Sequence, residues 1–296
     1  MVAIGRLLTA MVTPFDEEGE IDYAQAGSLA KALVSSGSDG LVIGGTTGES
    51  PSMSDDEKLR LFAKVKEAVG DTAAVIAGTT DYNHRKSVAL SQEAERLGVD
   101  GLLLTVPAYN KPQQEGLYQH FKAIAGATSL PGLLYNVPSR TALNMTAATT
   151  LRLAQIDNII GIKEATAEVN RVAEIRERAG EEFLLLSGDD ATACDFLLAG
   201  GHGVISVTAN VAPRLMHELC SAVLQGDAAS ARDIDSRLQA LHRDLFLEAN
   251  PIPVKWAVHE LGLVKAGIRL PLTWLSEQYR DKVKAAMNYA EITIQA

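Results

Sequence analysis

The chain has 296 residues, 47% hydrophobic and 22% charged, with a net charge of −10, an ordinary globular composition with enough apolar residues for a large core. The acidic balance argues against a nucleic-acid partner, because binding a phosphate backbone needs clustered Lys and Arg. No apolar run reaches the roughly 18 residues of a membrane span, the opening Met1-Val2-Ala3-Ile4-Gly5-Arg6 lacks a signal peptide's apolar stretch, and Cys194 and Cys220 lie far apart without disulfide or zinc spacing. A reducing cytoplasm is the expected compartment.

Short apolar runs recur at 7–12, 40–43, 74–77, 101–106, 132–137, 159–162, 183–186 and 203–207. They are unbroken rather than alternating, as in parallel strands buried on both faces. Their spacing is that of a βα unit. Helical patterns lie between them. Ser54-Asp55-Asp56-Glu57 reads as a capping box, followed by Leu59, Phe62, Val65 and Val69 on one face and a stop at Gly70. Further helices fit 87–97, closed by Gly98, and 167–179, closed by Gly180. Eight runs alternating with helices predict an α/β fold, a (β/α)8 TIM barrel, over residues 1–226. No G-x-G-x-x-G follows the first run, which weakens a dinucleotide-binding alternative. From Asp227 the β pattern stops, and 227–296 reads as a C-terminal helical region packed on the barrel, interrupted at Asn250-Pro251-Ile252-Pro253 and Arg269-Leu270-Pro271-Leu272.

In such a barrel, functional groups gather at the carboxyl ends of the strands. Lys163 ends the sixth run, Ile159-Ile160-Gly161-Ile162, where a charge is normally excluded. A lysine held there loses hydration, which favours its neutral, nucleophilic form and so a Schiff base with a carbonyl. The plainer alternative is a lysine that closes a strand and reaches solvent. Gly44-Gly45-Thr46-Thr47-Gly48-Glu49-Ser50 follows the second run and can hold a small carboxylate, or can simply turn the chain into a helix. Tyr135 is either a core tyrosine or a proton carrier; Tyr109 has the same two readings, in a loop after the fourth run. Arg140 can bind a carboxylate through paired hydrogen bonds or lie free on the surface. Glu49, Glu164, Asp189 and Asp190 are weak metal candidates, since carboxylates near helix starts also act as caps. The six histidines show no ligand spacing, and Ser50 and Ser187 no nucleophile elbow.

The Gly-Thr-Thr-Gly-Glu turn from Gly45, Tyr135-Asn136-Val137-Pro138 and Gly161-Ile162-Lys163-Glu164 resemble the pyruvate-dependent class I aldolase (N-acetylneuraminate lyase) superfamily over about residues 5–272. Tyr135–Thr141, Tyr109-Asn110-Lys111-Pro112 and the Asn250–Lys255 segment are most similar to its dihydrodipicolinate synthase family. The resemblance implies a lyase that condenses pyruvate with L-aspartate 4-semialdehyde, in the diaminopimelate route to L-lysine. It implies an imine of pyruvate on Lys163, a proton relay of Tyr135, Thr46 and Tyr109, and Thr47 on the pyruvate carboxylate. Arg140 would hold the semialdehyde carboxylate, with Gly188 and Ile205 around the lysine. It further implies no metal or organic cofactor, and a cytoplasmic homotetramer, a dimer of dimers, with Tyr109 lent across the dimer interface. One departure stands out. Positions that bind inhibitory lysine in regulated members carry Ala108, Asp55, Lys58, Tyr82 and Lys86 here, so weak or absent inhibition by lysine is expected.

Overall fold

A computed structural model describes residues 4–292; positions 1–3 and 293–296, the outer ends of the two expected regions, lie outside the described residues. Each expected run forms a strand: β1 (Leu7–Ala10), β2 (Gly40–Ile43), β3 (Ala74–Gly78), β4 (Gly101–Thr105), β5 (Gly132–Asn136), β6 (Ile159–Glu164), β7 (Leu184–Ser187) and β8 (Gly203–Ser206). All neighbours pair in parallel, and β8 returns to β1, so the sheet closes into a barrel without edges. Helices pack outside it, giving the TIM-barrel architecture.

The period-two alternation of a strand sorts its side chains into two cores. Leu8, Val42, Ile76, Leu103, Leu133, Leu186 and Ile205 fill the barrel interior. Their chain neighbours Leu7, Leu41, Val75, Leu102, Leu134, Leu185 and Val204 point outward into the layer shared with the helices. Every buried Leu, Ile or Val of this kind contributes on the order of 2 kcal/mol.

Boundaries differ from the sequence pattern where side chains capture the backbone. The first strand stops at Ala10 because the Val12 N–H donates to the Asn210 side chain (3.0 Å) instead of to a neighbouring strand. The sixth runs two residues further than its apolar pattern, since Lys163 and Glu164 stay in register with β5 and β7. The helix expected at 87–97 is Arg96-terminated and begins at His84, where the Asn83 side chain caps it. The helix expected from 167 begins at Arg171; Ala167 sits in the left-handed region (φ 61°) and cannot continue a helix. The capping box at Ser54 and Glu57 forms with both of its hydrogen bonds, and Gly70 ends that helix at φ 56°.

Beyond residue 226 the chain forms helices Ala228–Asp244, Ile252–Glu260 and Glu277–Tyr289. The region reaches the carboxyl end of the barrel strands through three ties. Lys255 forms a fully buried ion pair with Glu49, Arg269 binds Glu57, and Asn250 binds Thr47. The Lys255 Nζ also lies 4.0 Å from the centre of the Phe15 ring, a cation–π contact that offsets part of its desolvation.

Candidate active site

The carboxyl ends of the strands open into a cavity of about 620 Å³, whose wall includes Thr46, Lys58, Tyr82, Lys86, Ala108 and Arg140. Lys163 faces the barrel interior because of strand parity. Its partners across the ladder are Tyr135 on β5 and Leu186 on β7, both interior residues, whereas Ile162 packs in the outer layer. The lysine is 4% exposed, and its Nζ lies 4.3 Å from the centre of the Tyr135 ring.

Burial pulls the Lys163 ammonium down to about 8; the Asp190 carboxylate opposes this and the Arg140 guanidinium adds to it. Roughly a tenth of the side chain is then a free amine at neutral pH. Burial pushes the Tyr135 phenol up to about 12, with Arg140 and the Thr46 hydroxyl opposing and Asp189 adding. Tyr135 is therefore a protonated phenol beside a lysine that readily gives up its charge, an arrangement able to move protons around a carbonyl adduct.

Gly188 is required by that packing: a Cβ there would come within 2.9 Å of the Lys163 Cε and 2.8 Å of the Ala165 Cβ. Its amide donates to the Glu164 carbonyl at 2.7 Å. Ile205 belongs to the interior layer beneath the site. Thr47 is buried, and its Oγ1 accepts from the Asn250 Nδ2 at 2.9 Å. The Arg140 Nη2 donates to the Asn250 main-chain carbonyl at 3.1 Å. Tyr109 does not join this group within one chain. It stands 89% exposed, at φ 64°, in the loop after β4.

The acidic candidates are each committed elsewhere. Glu49 pairs with Lys255 and accepts from the Arg269 amide. Glu164 faces outward and binds the Arg171 Nε at 2.8 Å and the Asn136 side chain at 3.0 Å. Asp189 accepts from the Thr192 amide, and Asp190 from the amides of Val207 and Thr208. Among the described residues, no group of three or more His, Cys, Asp or Glu is placed to hold a metal ion. Cys194 and Cys220 are both buried and free.

Sequence reasoning named candidate residues at the carboxyl ends of the strands but assigned no task to Asn250 or Lys255. A signal existed for Lys255, the one charge inside the apolar stretch Ile252-Pro253-Val254-Lys255-Trp256-Ala257-Val258. Asn250 stood out only as part of the family-like Asn250–Lys255 segment, and its partner Thr47 lies 203 residues away.

Comparison with known proteins gives a concordant picture. The chain is 53% identical over 285 residues to the 4-hydroxy-tetrahydrodipicolinate synthase of Azoarcus sp. (strain BH72), covering 96% of this chain and 98% of that protein. It is 52% identical over 283 residues to the enzyme of the same name from Moorella thermoacetica, covering 96% and 97%. Among solved structures, the chloride-inhibited dihydrodipicolinate synthase from Acinetobacter baumannii, complexed with pyruvate, superposes with a TM-score of 0.96 at 42% identity, over 98% of this chain and 100% of that one. The model of the dihydrodipicolinate synthetase family matches residues 3–290, and the chain belongs to that family of lyases.

Proposed function

We propose that this chain condenses pyruvate with L-aspartate 4-semialdehyde to give 4-hydroxy-tetrahydrodipicolinate, on the diaminopimelate route to L-lysine. The observation that carries the reading is the buried Lys163, its ammonium pulled down to about 8, against the ring of Tyr135 at the carboxyl end of the barrel. The neutral Lys163 amine adds to the ketone of pyruvate and water leaves, forming an imine. Loss of a methyl proton gives the enamine. Its carbon attacks the semialdehyde carbonyl, and the new alkoxide takes up a proton. The amino group of the semialdehyde then attacks the imine carbon and expels the lysine amine, which closes the ring. One water is released overall, and no external electron sink is needed, because the lysine adduct serves as one.

In this reading Tyr135, Thr46 and Tyr109 carry the protons, Thr47 holds the pyruvate carboxylate, and Arg140 holds that of the semialdehyde. Gly188 and Ile205 shape the wall around the lysine. The exposure of Tyr109 supports its being lent to a neighbouring subunit's site, in a dimer within a homotetramer of dimers. Of the described residues, 4–226 form the catalytic barrel and 227–292 the helical region that braces it. The family's role in amino-acid synthesis supports a cytoplasmic enzyme. No described helix is long and apolar enough to cross a membrane.

Inhibition by L-lysine is weak or absent. Lys58, Lys86, Tyr82 and Ala108 share one cavity wall with Thr46 and Arg140. The buried Lys58 has its nearest carboxylate, Asp55, 3.9 Å away. Asp55 and Asp81 line the same cavity and offset part of the Lys58 and Lys86 charge, so the reading rests on the replaced effector positions, Ala108, Asp55, Lys58, Tyr82 and Lys86, rather than on net charge.

The test is turnover of pyruvate with aspartate 4-semialdehyde, coupled to a dihydrodipicolinate reductase and followed as NADPH loss, with Lys163→Ala as control. Turnover lost in the variant supports both substrate and nucleophile. Absence of turnover with pyruvate still trapped on Lys163 by borohydride would reassign the aldehyde to a sugar acid. Absence of trapping would remove the Schiff-base reading altogether.

A further inference from the structure

We infer that Asn250 is a positioning residue for the pyruvate carboxylate, acting by fixing the direction in which the Thr47 hydroxyl donates. The inference rests on the roles proposed above for Thr47 and Arg140. Asn250 lies just before the helix Ile252–Glu260 and is 6% exposed. Its Nδ2 donates to the Thr47 Oγ1 at 2.9 Å, and its main-chain carbonyl accepts from the Arg140 Nη2 at 3.1 Å. A single residue of the C-terminal region therefore touches both groups assigned to substrate carboxylates, across 203 and 110 residues of sequence.

A threonine hydroxyl has one proton and two lone pairs. With an amide N–H donated onto its oxygen, Thr47 has no local need to use that proton on Asn250 and can direct it to a substrate carboxylate. An acceptor in the same place would draw the proton away. The cost of the arrangement is visible: the Asn250 Oδ1 is buried without a hydrogen-bond partner among the described residues. An orphaned buried acceptor weakens a fold, so Asn250 is poorly explained as a residue that serves stability alone. Its side chain serves Thr47, whereas its carbonyl serves Arg140. Changing the side chain therefore separates the two substrates.

The experiment measures kcat/KM for each substrate in the full-length enzyme, wild type against Asn250→Ala, Asn250→Asp, Thr47→Val and the double variant Asn250→Ala/Thr47→Val. For Asn250→Ala, kcat/KM for pyruvate falls about tenfold while that for the semialdehyde changes less than about threefold. Asn250→Asp, although nearly isosteric, falls further, because its carboxylate takes the Thr47 proton. On the Thr47→Val background, Asn250→Ala adds no loss. Additive losses in the cycle, equal losses for both substrates, or an Asn250→Asp enzyme as active as wild type overturns the inference. If Asn250→Ala does not fold, Asn250→Ser takes its place in the cycle with the same criteria. If Thr47→Val leaves pyruvate kinetics unchanged, the role proposed for Thr47 has failed. If Thr47→Val impairs pyruvate use and Asn250→Ala does not, the inference about Asn250 alone has failed.

Discussion

Lys163 and Tyr135 occupy paired positions on adjacent parallel strands, and the lysine Nζ lies 4.3 Å from the centre of the tyrosine ring. In-register pairing places both on the same face of the sheet, so the proposed nucleophile and proton carrier are set by backbone geometry rather than by a loop. The low-dielectric interior acts on them in opposite senses, down to about 8 for the lysine and up to about 12 for the phenol.

The first consequence is a pH dependence. Imine formation needs the neutral amine, so kcat/KM for pyruvate should rise with pH and level off above about 8. Arg140 is one of the groups that lowers the Lys163 pKa. Arg140→Ala should therefore move the rising limb to higher pH, as well as impairing use of the semialdehyde more than that of pyruvate. Rate profiles for both substrates across pH 6 to 10 read both effects, and an unmoved limb would count against the coupling.

The same burial should make Lys163, the proposed nucleophile, a burden on stability. The folded pKa of Lys163 is depressed, so the folded state pays for the charged form wherever both states are protonated, below about 8. As pH rises from there toward the unfolded value of 10.5, only the unfolded chain keeps its proton, and the penalty disappears. Lys163→Met should therefore stabilise the protein at pH 7, by on the order of 3 kcal/mol, while abolishing borohydride trapping. The gain should shrink toward pH 10. Denaturant unfolding at the two pH values checks it, and a gain independent of pH would point to packing instead.

The buried pair of Lys255 and Glu49 predicts a different response. Both side chains are almost wholly buried, and Glu49 sits at φ 58° in the turn that carries Thr46 and Thr47. Removing one partner strands a charge, which typically costs about 3–5 kcal/mol. Lys255→Met and Glu49→Leu should each be strongly destabilising, and the double variant should recover much of the loss. Denaturant midpoints of the three proteins test this. A double variant as unstable as the sum of the singles would contradict it.

These relationships also show what was legible in the sequence. The strands could be read because parallel strands in a closed barrel are apolar on both faces, and barrel geometry then brings their carboxyl ends together; Lys163, Thr46 and Arg140 followed from that. The start of the helix at Arg171 could not, because Ala167 adopts a left-handed conformation that its residue type disfavours. The ties from Asn250 and Lys255 are tertiary, formed by a region with no β pattern, and nothing local in the sequence announces which turn they meet. Tyr109 is the extreme case, since the role proposed for its 89% exposed side chain requires a second subunit.

That last point gives the sharpest test of assembly. In a two-fold dimer with Tyr109 exchanged, each site combines Lys163 of one subunit with the tyrosine of the other. Lys163→Ala and Tyr109→Phe should each have little activity as pure proteins. Unfolded together and refolded, they form mixed dimers in which one site carries both lesions and the other neither. Random mixing should restore about a quarter of the wild-type sites, since half of the dimers are mixed and half of their sites are intact. If Tyr109 served its own subunit's site, every site in the mixture would carry one lesion and refolding would restore nothing. The coupled assay on the refolded mixture, set against each variant refolded alone, separates these outcomes without requiring a structure of the oligomer.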